Sequence, residues 1–290
     1  MTDQTGWPDS PHPLLYDKVI RRALREDLGR AGDLTTDAIV PPAAKAVAEL
    51  AARASGRIAG AEVALSVFRR LDPDVRAEIR LPDGADAEAG AQIAILRGSA
   101  RALLSGERTA LNLLGRLSGI ATATRTIVTA VAPYPARVVC TRKTTPGLRL
   151  LEKYAVRAGG GFNHRFGLDD AVLIKDNHRI VAGGVTEAIL RARRHVGHMV
   201  KIEVEVDTLE QLEEALALEI DAVLLDNMSV EILSRAVQMA RGKAVTEASG
   251  GINSATAASV AATGVDLLSV GWLTHSAPAL DVALDFHPTR

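Results

Sequence analysis

Six apolar runs of strand length, each separated from the next by a helical segment, do most to limit what this chain can fold into. They are Arg137–Thr141, Ala171–Ile174, Val200–Val204, Ala222–Leu225, Ala244–Ala248 and Leu267–Val270. Alternating β and α signals predict a parallel sheet with helical crossovers. Near-continuous apolar strands suit a sheet buried on both faces. Each run stops at polar or glycine residues on its carboxyl side. The ends read Thr141-Arg142-Lys143, Lys175-Asp176-Asn177-His178, Glu203-Val204-Glu205, Asp226-Asn227, Ser249-Gly250-Gly251 and Ser269-Val270-Gly271. In a β/α barrel that rim is where active sites sit. An open doubly wound sheet gathers its ligands at a switch point instead. Polar residues can simply begin loops, which explains any one strand. It explains six poorly, because Lys, Asp and Glu are awkward on a barrel's inner rim.

The first part of the chain mixes short strands and helices. Helical spacing of Leu15, Val19, Ile20, Ala23, Leu24 and Leu28 predicts a helix over 14–28, closed by Gly29 and Gly32. Strands are expected over 47–54, 75–81 and 92–97, with a helix over 61–71. A long helix is expected over 107–131, stopped by Pro133 and Pro135. Residues 1–13 hold three prolines and read as a loose arm. Aromatic residues are only 3% of the chain, so the core must be built from Ala, Leu, Val and Ile.

Composition excludes several classes of function. Lys and Arg number 34 against 35 Asp and Glu, a net charge of −1, so no global field draws the chain to nucleic acid or an anionic membrane. A single cysteine, Cys140, rules out an internal disulfide framework and fits a reducing compartment. Inside a predicted strand it reads as a small core residue. No apolar run reaches the roughly 18 residues of a membrane span. The first residues lack a basic segment followed by an apolar one, so no signal peptide is expected. The expectation is a cytoplasmic protein.

The rim sorts by charge. Arg142, Lys143, His164, Arg165 and Lys175 are cationic and would hold a multiply charged anion, since Arg grips carboxylates and phosphates bidentately and Lys adds a point charge. Glu205 and Asp226 could share a magnesium ion, directly or through water, or either could pair with a rim lysine. Glu203 shares the strand face of Glu205. Ser249-Gly250-Gly251 and Gly271 can offer backbone N–H groups to a phosphate, in the loops where barrels often bind one. Gly159-Gly160-Gly161, before Phe162-Asn163-His164-Arg165, implies a close backbone approach or a flexible loop. There is no His-Glu-x-x-His motif, no paired-cysteine site, no Walker A motif and no dinucleotide fingerprint.

These stretches together resemble the quinolinate phosphoribosyltransferase family. The resemblance is carried by Gly32-Asp-Leu-Thr-Thr36, Glu107-Arg-Thr-Ala-Leu-Asn112 with Leu117-Ser-Gly119, Thr141-Arg-Lys-Thr-Thr-Pro-Gly147 and Gly159-Gly-Gly-Phe-Asn-His-Arg165. It continues through Leu173-Ile-Lys-Asp-Asn-His178, Glu203-Val-Glu205, Leu225-Asp-Asn227, Glu247-Ala-Ser-Gly-Gly251 and Ser269-Val-Gly271. These run in order across almost the whole chain.

The resemblance implies an α/β fold of the type II phosphoribosyltransferase kind. An N-terminal α/β sandwich over 1–112, rejoined by about 276–290, would precede an incomplete β/α barrel over 113–275. It implies transfer of phosphoribose from phosphoribosyl pyrophosphate to quinolinate, with Mg²⁺ and loss of CO₂. It implies a homodimer in which Arg108 reaches the other subunit's barrel. Arg108, Thr141, Arg142, His164, Arg165 and Lys175 would bind quinolinate. Lys143 would sit between that acid and the pyrophosphate, Glu205 and Asp226 would hold Mg²⁺, and Ser249, Gly250, Gly251, Ser269 and Gly271 would take the 5′-phosphate. Lys143 and Lys175 would also serve the phosphoribosyl side, and Lys143, Glu205 and Asp226 the chemistry.

The competing readings are a nicotinate phosphoribosyltransferase, a molybdate-operon relative of the same family, a Schiff-base aldolase using Lys143 or Lys175, and a non-catalytic anion-binding protein. The number of rim cations speaks against the first, since a monoacid needs fewer.

Overall fold

The computed structural model describes residues 10–287; most of the proline-rich arm expected at 1–13 lies outside the described residues. The chain divides into two compact units. One holds the residues up to Arg125, residues 144–160 and the segment from Leu273 onward. The other holds residues 126–143 and 161–272. Among the described residues no helix is long and apolar enough to cross a membrane.

The first unit is built on strands β1 (Lys45–Ala52), β2 (Gly56–Arg57), β3 (Arg76–Ile79), β4 (Asp86–Ala87) and β5 (Gln92–Ser99). In the first part of β1 burial alternates, with Ala48 and Leu50 fully buried and Val47 and Glu49 half-buried, before Ala51 and Ala52, both buried. That alternation is what fixes register in a one-sided sheet. The expected helices appear at Asp17–Leu28 and Ala61–Leu71. Gly29 caps the first with φ +56°, and a short 3₁₀ turn, Pro13–Leu15, precedes it.

The long helix runs from Ala100 to Val131, seven residues earlier than its apolar pattern suggested. Gly106 lies in the added turns. A Cβ there would sit 2.9 Å from the Phe68 ring, so the bare backbone lets the two helices approach. The close packing offsets the roughly 1 kcal/mol that glycine costs a helix interior.

The second unit holds β6 (Arg137–Val139), β7 (Val172–Ile174), β8 (Ile202–Val206), β9 (Ala222–Asp226), β10 (Val245–Ser249) and β11 (Leu267–Ser269). All six pair in parallel, in the order β6-β11-β10-β9-β8-β7. The first strand lies beside the last, as closure of a barrel demands. Phe162 forms a parallel bridge with Val139 on β6. β6 and β7 are not paired, so the barrel is incomplete.

The strand expected over 200–204 is displaced to 202–206, because Val200 N–H closes a turn onto the Gly197 carbonyl at 3.0 Å. The shift places both Glu203 and Glu205 inside β8. The final strand, β12 (Val282–His287), returns to the first unit and pairs antiparallel with β1, completing the sheet order β12-β1-β5-β3. Sequence patterning did not find it.

One buried ion pair ties the first unit together. Glu152, with no exposed surface, accepts from Arg116 Nε at 3.1 Å and Nη2 at 2.9 Å. It also accepts from Thr145 N–H at 2.9 Å and the Thr145 hydroxyl at 2.7 Å. Arg116 donates further to the carbonyls of Thr274 and Ala277. Removing one partner of such a pair leaves the other charge uncompensated. Glu152→Ala is expected to lower unfolding free energy by about 3 kcal/mol, measured from urea denaturation; a loss under about 1 kcal/mol, the size of a surface pair, would refute the assignment.

Candidate active site

Strand register decides which side chains meet. Glu203 pairs with Ala222, Glu205 with Leu224, Glu247 with Leu224, Ser249 with Asp226 and Glu247 with Leu267. Partners in register point to the same side, and so do residues two apart on one strand. Glu203, Glu205, Asp226, Glu247, Ser249 and Ser269 therefore share one face of the parallel sheet. Leu173 pairs with Glu203, which gives Lys175, two residues on, the same sense at the carboxyl end of β7.

Arg142 and Arg165 supply the positive side. Arg142 follows β6, and Arg165 lies on the loop before β7, where its Nη1 donates to the Ala171 carbonyl at 2.8 Å. Burial lowers the pKa of the Arg165 guanidinium below its ordinary value, and the nearby charge of Arg142 lowers it further; Asp170 and Glu203 act in the opposite sense. The Nε atoms of both arginines are shielded from solvent and have no hydrogen-bond partner among the described residues. A buried donor left unpaired costs roughly 1–3 kcal/mol, more for a charged group. Two such arginines, near enough for their charges to interact, could together accept an anion with planar acceptors.

His164 behaves differently from the arginines. The Arg165 backbone N–H donates to His164 Nδ1 at 2.7 Å, so that nitrogen carries a lone pair and the ring proton sits on Nε2. Nε2 lies 2.9 Å from Glu203 and 3.7 Å from Glu247. Both ring nitrogens thus face protein groups. The histidine counted among the rim cations is a neutral ring that holds the backbone of Arg165. One ligand atom from each of His164, Glu203 and Glu247 falls within 4.8 Å of the others.

Glu205 takes the alternative that the sequence left open. It lies 3.6 Å from Lys175 Nζ. Its second oxygen accepts from the Asp176 N–H at 3.5 Å. Among the described residues the Asp226 carboxylate accepts only from its neighbour Asn227, at 2.7 Å, and it stands half-exposed at the end of β9. Asp226 therefore has lone pairs to spare for a hard cation, and Glu205 would have to part from Lys175 to join it. The Lys175-Asp176-Asn177-His178 run opens a helix, Asp176–Ala182, in which Lys175 N–H donates to His178 Nδ1 at 2.9 Å.

Lys143 and the glycine-rich ends come together on the other side. A Cβ on Gly271 would lie 3.0 Å from Lys143 Cδ and 3.5 Å from Thr141 Oγ1, so the lysine stem passes directly over that glycine. Thr141 Oγ1 accepts from the Lys143 N–H at 3.0 Å. Gly250 has φ +98°, and a Cβ there would lie 2.1 Å from Asn227 Oδ1, so no other residue fits. Ser249 stands half-buried at the end of β10. Ser269 is 5% exposed and its hydroxyl is engaged by Glu247 and by the Ala248 carbonyl, so it faces the barrel interior. Arg108 is exposed on the long helix of the first unit. Cys140, just past β6, is buried and its thiol donates to Asn163 Oδ1.

Sequence reasoning gave Glu247 no role and Glu203 only a shared face. The signal was present: each is a carboxylate inside a strand read as buried, where an acid is costly unless it is paired or neutral.

Two family profiles match in succession. Residues 33–118 match the N-terminal domain of quinolinate phosphoribosyl transferase, and residues 120–285 match its C-terminal domain. The chain belongs to the quinolinate phosphoribosyltransferase family. It is 48% identical over 272 residues to the nicotinate-nucleotide pyrophosphorylase (carboxylating) of Mycobacterium leprae, covering 92% of this chain and 95% of that one. It is 39% identical over 293 residues to a mitochondrial quinolinate phosphoribosyltransferase (decarboxylating) of Nicotiana tabacum, covering 94% and 83%. The crystal structure of NadC from Streptococcus pyogenes superposes with a TM-score of 0.93 at 40% identity, covering 97% of this chain and all of that one.

For this quinolinate phosphoribosyltransferase family member the arginine pair gives a direct test. An aromatic 1,2-dicarboxylate such as phthalate is expected to raise the thermal midpoint of the protein, and Arg142→Ala or Arg165→Ala to abolish that rise. A rise that survives both substitutions would place the dianion elsewhere.

Proposed function

We infer that this chain transfers phosphoribose from phosphoribosyl pyrophosphate to quinolinate with loss of CO₂. The products are nicotinate mononucleotide and pyrophosphate, a step of de novo NAD biosynthesis. The observation that carries the reading is the pair of guanidinium groups with unpaired buried Nε atoms, Arg142 and Arg165. Quinolinate carries two adjacent carboxylates on one ring and matches them in charge and planarity. The names of the relatives, carboxylating pyrophosphorylase and decarboxylating phosphoribosyltransferase, describe this one reaction from its two directions.

The residues divide accordingly. Arg142 and Arg165 grip the dicarboxylate, with Thr141 and Lys175 beside them and Arg108 supplied by a second copy of the chain in a homodimer. His164 supports this group through Arg165. Ser249, Gly250, Gly251, Ser269 and Gly271 surround the 5′-phosphate. Lys143, lying over Gly271, serves the pyrophosphate. Asp226, joined by Glu205, would hold Mg²⁺, which when bound neutralises pyrophosphate charge. We assign the enzyme to the cytoplasm, in keeping with its one free cysteine.

Chemistry then follows from placement. The pyridine nitrogen attacks the anomeric carbon as its bond to the pyrophosphate oxygen breaks, and the electron pair leaves with pyrophosphate. Lys143 meets the growing negative charge, and the carboxylates of Asp226 and Glu205 lie on the side where the ribosyl carbon becomes positive. Holding two anions in one geometry supplies roughly 7–11 kcal/mol of the barrier reduction. Once alkylated, the ring is a pyridinium. The carbon–carboxylate bond beside the nitrogen breaks, CO₂ departs, and the electron pair left on the ring carbon takes up a proton.

Three outcomes test this. With phosphoribosyl pyrophosphate and Mg²⁺, quinolinate is expected to yield equal amounts of CO₂ and nicotinate mononucleotide, and nicotinate to yield none. Preference for nicotinate would select the rival. Lys175→Ala is expected to weaken quinolinate binding with near-normal phosphoribosyl pyrophosphate binding; equal loss of both would reject the division of the rim. Arg108→Ala and Arg142→Ala chains are each expected to be poor alone, and mixing them to restore a fraction of sites. No recovery after verified subunit exchange would reject the shared site.

A further inference from the structure

Glu247 stands apart from every role assigned so far. It lies in the middle of β10, is 1% exposed, and its Oε1 has no hydrogen-bond partner among the described residues. That oxygen lies 3.7 Å from His164 Nε2, whose proton already points at Glu203 Oε2 2.9 Å away. Two carboxylates therefore converge on a single N–H. Like charges this close in a low-dielectric interior do not both ionise.

We propose that Glu247 is a positioning residue for Arg165, acting as a neutral acid through Glu203 and His164.

The hydrogen-bond pattern selects this placement of the proton. The same number of protons could instead give an ionised Glu247 and an imidazolium at His164. That arrangement needs a hydrogen on Nδ1, where the Arg165 N–H already donates at 2.7 Å. Keeping the proton on Glu247 leaves Glu203 as the single anion, accepting from Nε2, and leaves Nδ1 free to hold the Arg165 backbone. Ligand atoms of Glu247 on β10, Glu203 on β8 and His164 on the loop lie within 4.8 Å of one another, and His164 in turn accepts from the N–H of Arg165.

Charge balance points the same way. A second buried anion beneath the rim would repel an incoming dianion. Of the titratable groups facing Glu247, Glu203 from β8 raises its pKa and His164 from the loop lowers it; from β11 the Ser269 hydroxyl hydrogen-bonds to it. Its register partners on β9 and β11, Leu224 and Leu267, are apolar. Burial, reinforced by the charge of Glu203, raises the Glu247 carboxyl to about 8.

The sign of the pH effect follows. A carboxyl raised from 4.5 to about 8 keeps its proton in the folded chain and loses it in the unfolded chain between those values. Folded stability is therefore fully favoured below the lower value and declines as pH rises toward the upper one.

The kinetic part of the test rests on the quinolinate reading; the other two parts need no substrate. First, ¹⁵N shifts of His164 at pH 7 are expected to report the Nε2–H tautomer in the wild-type protein and in Glu247→Gln. An imidazolium signal in the wild type would overturn the proposal. Second, Glu247→Gln is expected to flatten the decline in stability between pH 5 and 8, and an unchanged slope would overturn it. Third, Glu247→Ala is expected to raise KM for quinolinate about tenfold with KM for phosphoribosyl pyrophosphate unchanged. Glu247→Gln, which keeps the shape and neutrality of the acid, is expected to restore KM to within about twofold. Equal rises in both KM values, or a glutamine variant as impaired as the alanine variant, would count against it. If Glu247→Ala fails to fold, the tautomer and the glutamine stability profile decide the matter. A wild-type protein without turnover would defeat the quinolinate reading and leave those two measurements standing.

Discussion

Two guanidinium groups that repel each other, both with a buried donor unpaired, set the terms for the parallel-sheet unit. A fixed backbone is what keeps Arg142 and Arg165 together against that repulsion. The restraint on Arg165 is local and visible. Its Nη1 is tied to the Ala171 carbonyl, its N–H to His164 Nδ1, and His164 in turn to Glu203. Preorganised charge of this kind binds strongly because no reorganisation remains to be done when the ligand enters.

The acids on the same sheet face divide by what lies beside them, although all are carboxylates on neighbouring strands. Glu205 meets Lys175 and a backbone N–H. Asp226 stands half-exposed with one weak donor, Asn227. Glu203 accepts a hydrogen bond from the imidazole of His164, and Glu247, whose Oε1 has no partner among the described residues, holds a proton of its own. Environment, not residue type, separates a lysine partner, a half-exposed acid at a strand end, a histidine anchor and a neutral acid.

Much of this was legible in the sequence. The β/α alternation identified all six parallel strands, because strands buried on both faces leave continuous apolar runs that end abruptly at the rim. The helices at 17–28 and 61–71 followed from apolar spacing and from a glycine stop. What stayed hidden had physical causes. The start of the long helix was masked by Gly106, whose role depends on Phe68, thirty-eight positions away in the chain. The β8 shift depended on a turn through Gly197 that an apolar window does not see. β12 is held by its pairing with β1, a contact of the highest sequence separation.

The site shows the same division between local and distant information. Arg142, Lys143, Lys175 and Asp226 stood out because each ends or follows a strand, where polarity contrasts with the run before it. Glu247 and Glu203 stand inside strands, where the same contrast was discounted as an interruption. A carboxylate in the middle of a doubly buried strand is, however, the costlier placement of the two, since it must find a proton or a partner to remain there. In this fold the partner is a histidine on a loop that closes over the strands, so the cost and its compensation appear in residues 39 and 83 positions apart. An acid in such a strand is therefore a stronger pointer to a buried network than a charge at the rim, whose alternative is simply solvent.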